Sequence, residues 1–161
     1  MMLKSNISFL RYCVIASALT FITSIAIGWT YRYFMNGYNL FSNDVYFYVP
    51  DRIFYTFLGA VVIGPLLETL VDQWLLISIL QKFRVKAAHT ILLGTLVFSL
   101  SHLHNSVLSS INTLFLGFVL CYSYIYWLNR TSSERIAFES SLLIHVIHNL
   151  YHVCLLFFYS R

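Results

Sequence analysis

The sequence predicts an all-α, polytopic membrane protein with about five transmembrane helices. Hydrophobic residues make up 59% of the chain and the mean hydropathy is +0.74, while only 10% of the residues are charged. A typical soluble domain has roughly 25% charged residues, and so few charges cannot cover a water-exposed surface. Apolar runs of about 20 residues, the length that spans a bilayer, recur along the chain. This composition excludes a disordered chain, a disulfide scaffold and a nucleic-acid-binding domain, and it implies that the lipid bilayer surrounds the protein.

We predict one membrane domain over residues 1–161. Its helices are expected at 10–34, 52–80, 87–104, 107–128 and 134–159. The first resembles a signal peptide in its basic start, but its apolar run is too long for one, so we predict a membrane helix. Residues 35–50 are rich in Tyr, Asn and Phe and predict a loop at the membrane interface. Gly64-Pro65 lies inside the second helix and predicts a kink, because an internal proline removes a backbone hydrogen bond.

Polar and basic connectors separate the later helices. The segment 81–86 carries three basic residues and precedes the third helix, and the polar segment 129–135 separates the fourth helix from the fifth. With five spans, the N-terminus and both connectors lie on one side of the membrane. That side carries seven of the ten Lys and Arg residues. The positive-inside rule then predicts a cytoplasmic N-terminus.

A few polar side chains interrupt the apolar background of the second, third and fifth helices. They are Glu68, Asp72, His102, His104, His145, His148, Asn149 and His152. An ionised side chain at the bilayer centre costs about 2.5–3.5 kcal/mol, so we expect these groups to face one another or a water-filled cavity. Glu68 and Asp72 are four residues apart, as are His145 and Asn149, so each pair shares a helix face. The sequence therefore predicts a polar intramembrane cavity between these three helices.

A carboxyl group that faces imidazoles in such a cavity is suited to acid–base chemistry on water. Poor solvation brings a carboxyl group closer to the range in which it takes and returns a proton near neutral pH. An imidazole opposite it can orient the same water molecule. Neutral His and Asn donors can stabilise an oxyanion without the cost of burying a full charge. This set of residues predicts hydrolysis of a peptide bond within the bilayer.

Three segments carry these residues, in order, on separate predicted helices. They are Glu68-Thr69-Leu70-Val71-Asp72-Gln73, Phe98-Ser99-Leu100-Ser101-His102 and His145-Val146-Ile147-His148-Asn149. They resemble the motifs EExxxR, FxxxH and HxxxN of the CAAX protease and bacteriocin-processing family. These proteins are intramembrane glutamic endopeptidases related to the type II CAAX prenyl protease. The resemblance covers about residues 52–158 and leaves the first helix outside.

The resemblance implies a role for each matching residue. Glu68 would activate water with help from His102, His145 and Asn149 would stabilise the oxyanion, and Phe98 would pack the second motif. It also implies an enzyme without a required metal or other cofactor. The substrate would be a membrane-anchored or hydrophobic peptide, either a prenylated CAAX end or a bacterial processing signal. We expect the protein in the bacterial cytoplasmic membrane.

The first motif departs from the family pattern at two positions. Thr69 stands in place of the second Glu, and Gln73 stands in place of the Arg. In the family these positions are four residues apart and could form an ion pair along one helix face. Losing both charges together leaves no unpaired buried charge. We interpret Thr69 and Gln73 as a neutral, hydrogen-bonding substitute, and we expect Asp72 and His148 to support the site.

Three other functions fit some of the same residues. The histidines and acids could bind zinc or iron, although the chain has no HExxH motif. The intramembrane acids could instead relay protons in a small proton-coupled transporter. A non-catalytic, bacteriocin-immunity type of membrane protein also occurs within the resembled family. The cysteines Cys13, Cys121 and Cys154 lack metal-site spacing, and we predict them as small buried apolar residues.

Overall fold

A computed structural model describes residues 2–34 and 53–159, which form five helical rods. The rods are α1 (Met2–Phe34), α2 (residues 53–82), α3 (Ala87–Ser101), α4 (Val107–Thr131) and α5 (Glu134–Tyr159). Within these residues there is no strand, and the all-α prediction is confirmed. The interface loop predicted over 35–50 lies outside the described residues.

Three of the described stretches are long and apolar enough to cross a membrane. They are Ser8–Tyr31, Leu58–Lys82 and Val107–Thr131. α3 has 15 residues, fewer than the roughly 20 that a span requires. It ends at Ser101 rather than at the predicted residue 104, because a turn follows and places His102 at the helix end. α5 has 26 residues and is long enough to cross a membrane, but it contains polar side chains and is not among these three apolar stretches.

α3 and α4 form a tightly packed hairpin. A methyl group added to Gly94 would lie 2.7 Å from the Cys121 sulfur, so the helices approach closely only because residue 94 has no side chain. The Ser99 hydroxyl donates to the Ser110 carbonyl at 2.7 Å, and the Ser110 hydroxyl donates to the Ser99 carbonyl at 2.8 Å. Small residues and hydroxyl groups that join helices in this way are typical of membrane proteins. The hairpin is therefore a rigid support for the residues in the turn that joins the two helices.

α1 packs against α4 and α5 through buried polar contacts. The hydroxyl groups of Tyr12 and Ser123 are 2.8 Å apart, and Thr20 bonds to His148 at 2.9 Å. Cys13 and Cys121 are buried, as predicted, whereas Cys154 is exposed and the prediction for it was wrong. α1 therefore supports the face of α5 that points away from α2.

α2 is irregular over most of its length. Two π-helical stretches, Leu58–Ile63 and Thr69–Leu75, flank a short α-helical segment, Gly64–Glu68. The Gly64 N–H donates to the Gly59 carbonyl, five residues back, instead of the usual four. This widened turn ends just before Pro65, so the predicted irregularity is present as a π-helical stretch. Glu68 lies at the junction between the short segment and the second π-helical stretch.

Candidate active site

Glu68 lies between two imidazole rings that come from different helices. Its Oε2 atom is 3.6 Å from Nε2 of His102 and 3.6 Å from Nε2 of His145. α2 supplies the acid, the end of α3 supplies His102, and the middle of α5 supplies His145. The predicted convergence of acid and histidines from the second, third and fifth helices is thus present in the structure.

The backbone of its own helix sets the orientation of His102. Its Nδ1 atom is 2.8 Å from the Phe98 carbonyl, one turn back along α3. A carbonyl oxygen can only accept a hydrogen bond, so Nδ1 carries the proton and Nε2 of the neutral ring is an acceptor. Two acceptors, Nε2 of His102 and the Glu68 carboxylate, therefore face each other. One water molecule between them could donate a hydrogen bond to each.

His145 is the most enclosed member of the group. It is only 2% exposed, and its Nδ1 atom is 3.4 Å from the Thr69 hydroxyl. The Phe98 ring packs against both imidazoles, with centroid distances of 4.8 Å to His102 and 5.5 Å to His145. Phe98 thus contacts both histidines.

A cavity of about 340 Å³ opens beside Glu68. Its walls include apolar and polar side chains from α2 and from the turn after α3, among them Leu67, Glu68, Val71, Asp72, His102 and His104. Asp72 is buried, whereas His104 is exposed at the rim. The cavity therefore presents the Glu68–His102 pair and a second acid to one space.

Asn149 makes a contact within the protein that the sequence did not predict. Its side-chain amide donates a hydrogen bond of 2.8 Å to the Ala60 carbonyl on α2. The π-helical pattern would direct the N–H of residue 65 to this carbonyl, but Pro65 has no N–H. Asn149 thus replaces the backbone donor that the proline removes. The sequence signal for this contact was Pro65 itself, although nothing in the sequence assigned Ala60 a partner on α5.

The remaining candidate residues lie around this centre. The Nδ1 atom of His148 bonds to Thr20 on α1, so this side of the ring faces α1. Thr69 contacts His145, but both amide atoms of the buried Gln73 lack a hydrogen-bond partner within the described residues. The expectation of a hydrogen-bonding Thr69–Gln73 substitute was therefore wrong for Gln73. Thr20 was missed as a partner of His148, because a lone threonine in an apolar helix carries no distinguishing signal.

In the part of the chain that the structure describes, no group of three or more His, Cys, Asp or Glu residues is arranged to hold a metal ion. The Glu68 carboxylate and the two imidazoles are nevertheless suited to binding and deprotonating water.

The family described as type II CAAX prenyl endopeptidase Rce1-like matches residues 50–151, which is more than half of the chain. The chain belongs to this Rce1-like family. The match contains α2, α3, α4 and most of α5, and so includes Glu68, His102, His145 and Asn149, while α1 lies outside it. No curated protein and no solved structure matches the chain.

Membership in the Rce1-like family agrees with the resemblance noted from the sequence. The family is one of proteases, so membership supports protease activity at that level. Together with the three apolar helices, it identifies the Rce1-like chain as an integral membrane protein with a peptide as its general class of substrate.

Proposed function

We propose that this Rce1-like protein is an intramembrane glutamic endopeptidase. In this proposal, Glu68 and His102 activate a water molecule that hydrolyses a peptide bond of a hydrophobic or membrane-anchored substrate. The observation that carries the proposal is the position of Glu68 Oε2, 3.6 Å from Nε2 of both His102 and His145 beside a cavity. Nucleophilic water and a substrate peptide need such a space next to a base.

The reaction starts with a water molecule held between Glu68 and His102. The Glu68 carboxylate takes a proton from this water as its oxygen attacks the peptide carbonyl, which forms a tetrahedral intermediate. When the C–N bond breaks, the carboxyl group returns the proton to the leaving amine. The bond from His102 Nδ1 to the Phe98 carbonyl keeps the accepting Nε2 atom directed at the water throughout.

His145 is placed to stabilise the negative charge of the intermediate. If the Thr69 hydroxyl donates to Nδ1, the Nε2 atom carries the proton and can donate to the oxyanion. Asn149 is the second proposed donor. Its amide nitrogen has two hydrogens, and the bond to Ala60 uses one of them.

The substrate class follows from the position of the site. The base lies on an apolar helix, so the scissile bond must reach it from within or from the edge of the bilayer. Prenylated CAAX ends and unlipidated hydrophobic processing signals both meet this condition. A farnesylated peptide ending in CAAX and the same peptide without the lipid are therefore the first pair to compare.

The decisive experiment is Glu68→Gln in purified protein reconstituted in lipid vesicles. Gln keeps the shape of the side chain but cannot take a proton, so we expect cleavage of both peptides to fall at least about 1000-fold. Mass spectrometry of the products measures the rate and identifies the cleaved bond. Glu139→Gln is the matched control, because Glu139 is an acid on α5 that pairs with Arg135 at 2.7 Å, away from the cavity.

Three results would contradict the mechanism. Cleavage by Glu68→Gln at the wild-type rate would exclude Glu68 as the base. Loss of wild-type activity on chelation, with recovery when zinc or iron is added, would replace it with metal-dependent hydrolysis. If Glu68 instead controlled proton flux through the vesicles without any cleavage, the transporter alternative would account for the intramembrane acid.

A further inference from the structure

The proposed hydrolysis uses Glu68 but leaves a second acid in the same cavity without a role. Asp72 is 9% exposed and lines the cavity one helical turn from Glu68. No hydrogen bond or ion pair of Asp72 occurs within the described residues, whereas Glu68 has two imidazole neighbours. The position of Asp72 also lies outside the three residues that define the family's first motif. Within the described residues, only the electrostatic influence of His102 offsets the desolvation of this carboxylate, so Asp72 can still take a further partner.

The surroundings of Asp72 indicate what kind of group would complement it. Its cavity has apolar walls at Leu67 and Val71 and neutral or weakly basic groups at His104 and Asn105. Among the described residues, the cavity lining contains no Lys or Arg. A cationic group that entered this space would therefore meet two acids, of which Glu68 already has two imidazole neighbours, and no competing Lys or Arg among the described residues. The apolar walls would pack against the methylene groups of a Lys or Arg side chain.

We propose that Asp72 is a specificity-determining residue that binds a Lys or Arg side chain of the substrate near the scissile bond. This inference rests on the proposed proteolysis at Glu68. The four residues from Glu68 to Asp72 make about one helical turn, which rises roughly 5 Å along the axis in either an α-helix or a π-helix. An extended peptide advances about 3.3 Å per residue. The basic residue would then lie within about three residues of the bond that is cleaved.

Binding to an inactive protein tests this inference without requiring cleavage. The probe is a labelled Leu/Ala peptide of about 20 residues with a single guest residue, Lys or Gln, moved through successive positions. For Glu68→Gln protein in vesicles, we expect at least one Lys peptide to bind about tenfold more tightly than its Gln counterpart. The double variant Glu68→Gln/Asp72→Asn should lose this preference, while Glu68→Gln/Glu139→Gln should keep it. A Lys preference that survives Asp72→Asn, or its absence at every guest position, would overturn the inference.

Cleavage by the active protein distinguishes recognition from a general effect on the reaction. Asp72→Asn should lower kcat/KM about tenfold more for the preferred Lys peptide than for the Gln peptide, whereas Asp72→Glu should retain the Lys preference. An equal loss for both peptides would show that Asp72 acts in proton transfer or in folding, and would overturn the inference. The tenfold preference in binding with no cleavage of any peptide by wild type would support the cation site and contradict the proposed protease function.

Discussion

Two regions of the molecule differ in how the hydrogen-bonding groups of their backbones are satisfied. One is α2, which carries Glu68, and the other is the α3–α4 hairpin, which positions His102. α2 contains two π-helical stretches around Pro65 and relies on Asn149 of another helix to satisfy a carbonyl group. The hairpin consists of regular helices joined by close contacts at glycine and by reciprocal serine hydrogen bonds. An irregular helix frees backbone groups and widens the space beside the acid. A rigid hairpin fixes the imidazole that faces it.

This contrast has an energetic consequence. In the bilayer an unsatisfied backbone group costs several kcal/mol, so an irregular helix persists only where another group satisfies it. The hairpin depends instead on steric fit, so a single added methyl group between its helices is destabilising. Substitutions in the two regions should therefore destabilise the protein for different reasons. Each reason can be identified by its own measurement.

The largest effect is expected for Asn149→Ala. The change leaves the Ala60 carbonyl without its donor, which should reduce the free energy of unfolding by about 3 kcal/mol. It should also reduce cleavage, since α2 is then free to reposition Glu68. Thermal unfolding in detergent measures the first effect and peptide cleavage the second. Asn149→Asp keeps the shape but loses the donor when ionised, so it should be at least as destabilising as Asn149→Ala.

A double-mutant cycle with Pro65→Ala identifies the cause. Alanine at position 65 supplies the backbone N–H that the π-helical pattern directs to Ala60. In that background, Asn149→Ala should cost about 1–2 kcal/mol less than in the wild type. An equal cost in both backgrounds would mean that Asn149 stabilises the protein through some contact other than the freed carbonyl.

The second prediction compares the same substitution in both regions. Gly117→Ala would place a methyl group 2.8 Å from the Phe98 ring and 3.2 Å from its Cβ atom, so α3 and α4 must separate. We expect a loss of about 2 kcal/mol and lower activity, because Phe98 packs against both histidines. Gly59→Ala is the matched control in the first π-helical stretch, since an added methyl group meets nothing within 4 Å there.

Gly59→Ala should leave stability unchanged or raise it by up to about 1 kcal/mol, as alanine is the better helix former. Thermal unfolding of the two variants side by side makes the measurement. If Gly117→Ala were as stable as Gly59→Ala, the close approach of α3 and α4 would not be what fixes Phe98.

These regions also differ in what the sequence could predict. Helical periodicity and the cost of burying charge were sufficient to predict that Glu68, His102 and His145 converge, because apolar surroundings leave such groups few alternatives. The kink at Pro65 was predictable, but its form was not, since a proline only removes a donor and tertiary contacts decide which acceptor is freed. The pairing of Asn149 with Ala60 and of His148 with Thr20 depends on helix rotation to within a few tens of degrees, which the sequence pattern does not specify.

The smallest effects are expected at two threonines that bond to histidines of α5. The Thr20 hydroxyl donates to the Ser17 carbonyl at 2.8 Å and so accepts from His148 Nδ1, whereas Thr69 lies beside Nδ1 of His145. Thr20→Val should cost about 1 kcal/mol of stability without changing cleavage. Thr69→Val should instead lower kcat about fivefold, equivalent to about 1 kcal/mol, because the proton of His145 is then no longer directed to Nε2.

Measuring both threonine variants for stability and for cleavage separates support of the fold from support of the reaction. A Thr69→Ser variant restores the hydroxyl and should recover most of the activity, which a purely steric role of the threonine methyl group would not allow. Equal effects of Thr20→Val and Thr69→Val on cleavage would contradict the distinction between a structural His148 and a reactive His145. The position of the α5 histidines relative to α1 and α2 would then be no guide to their function.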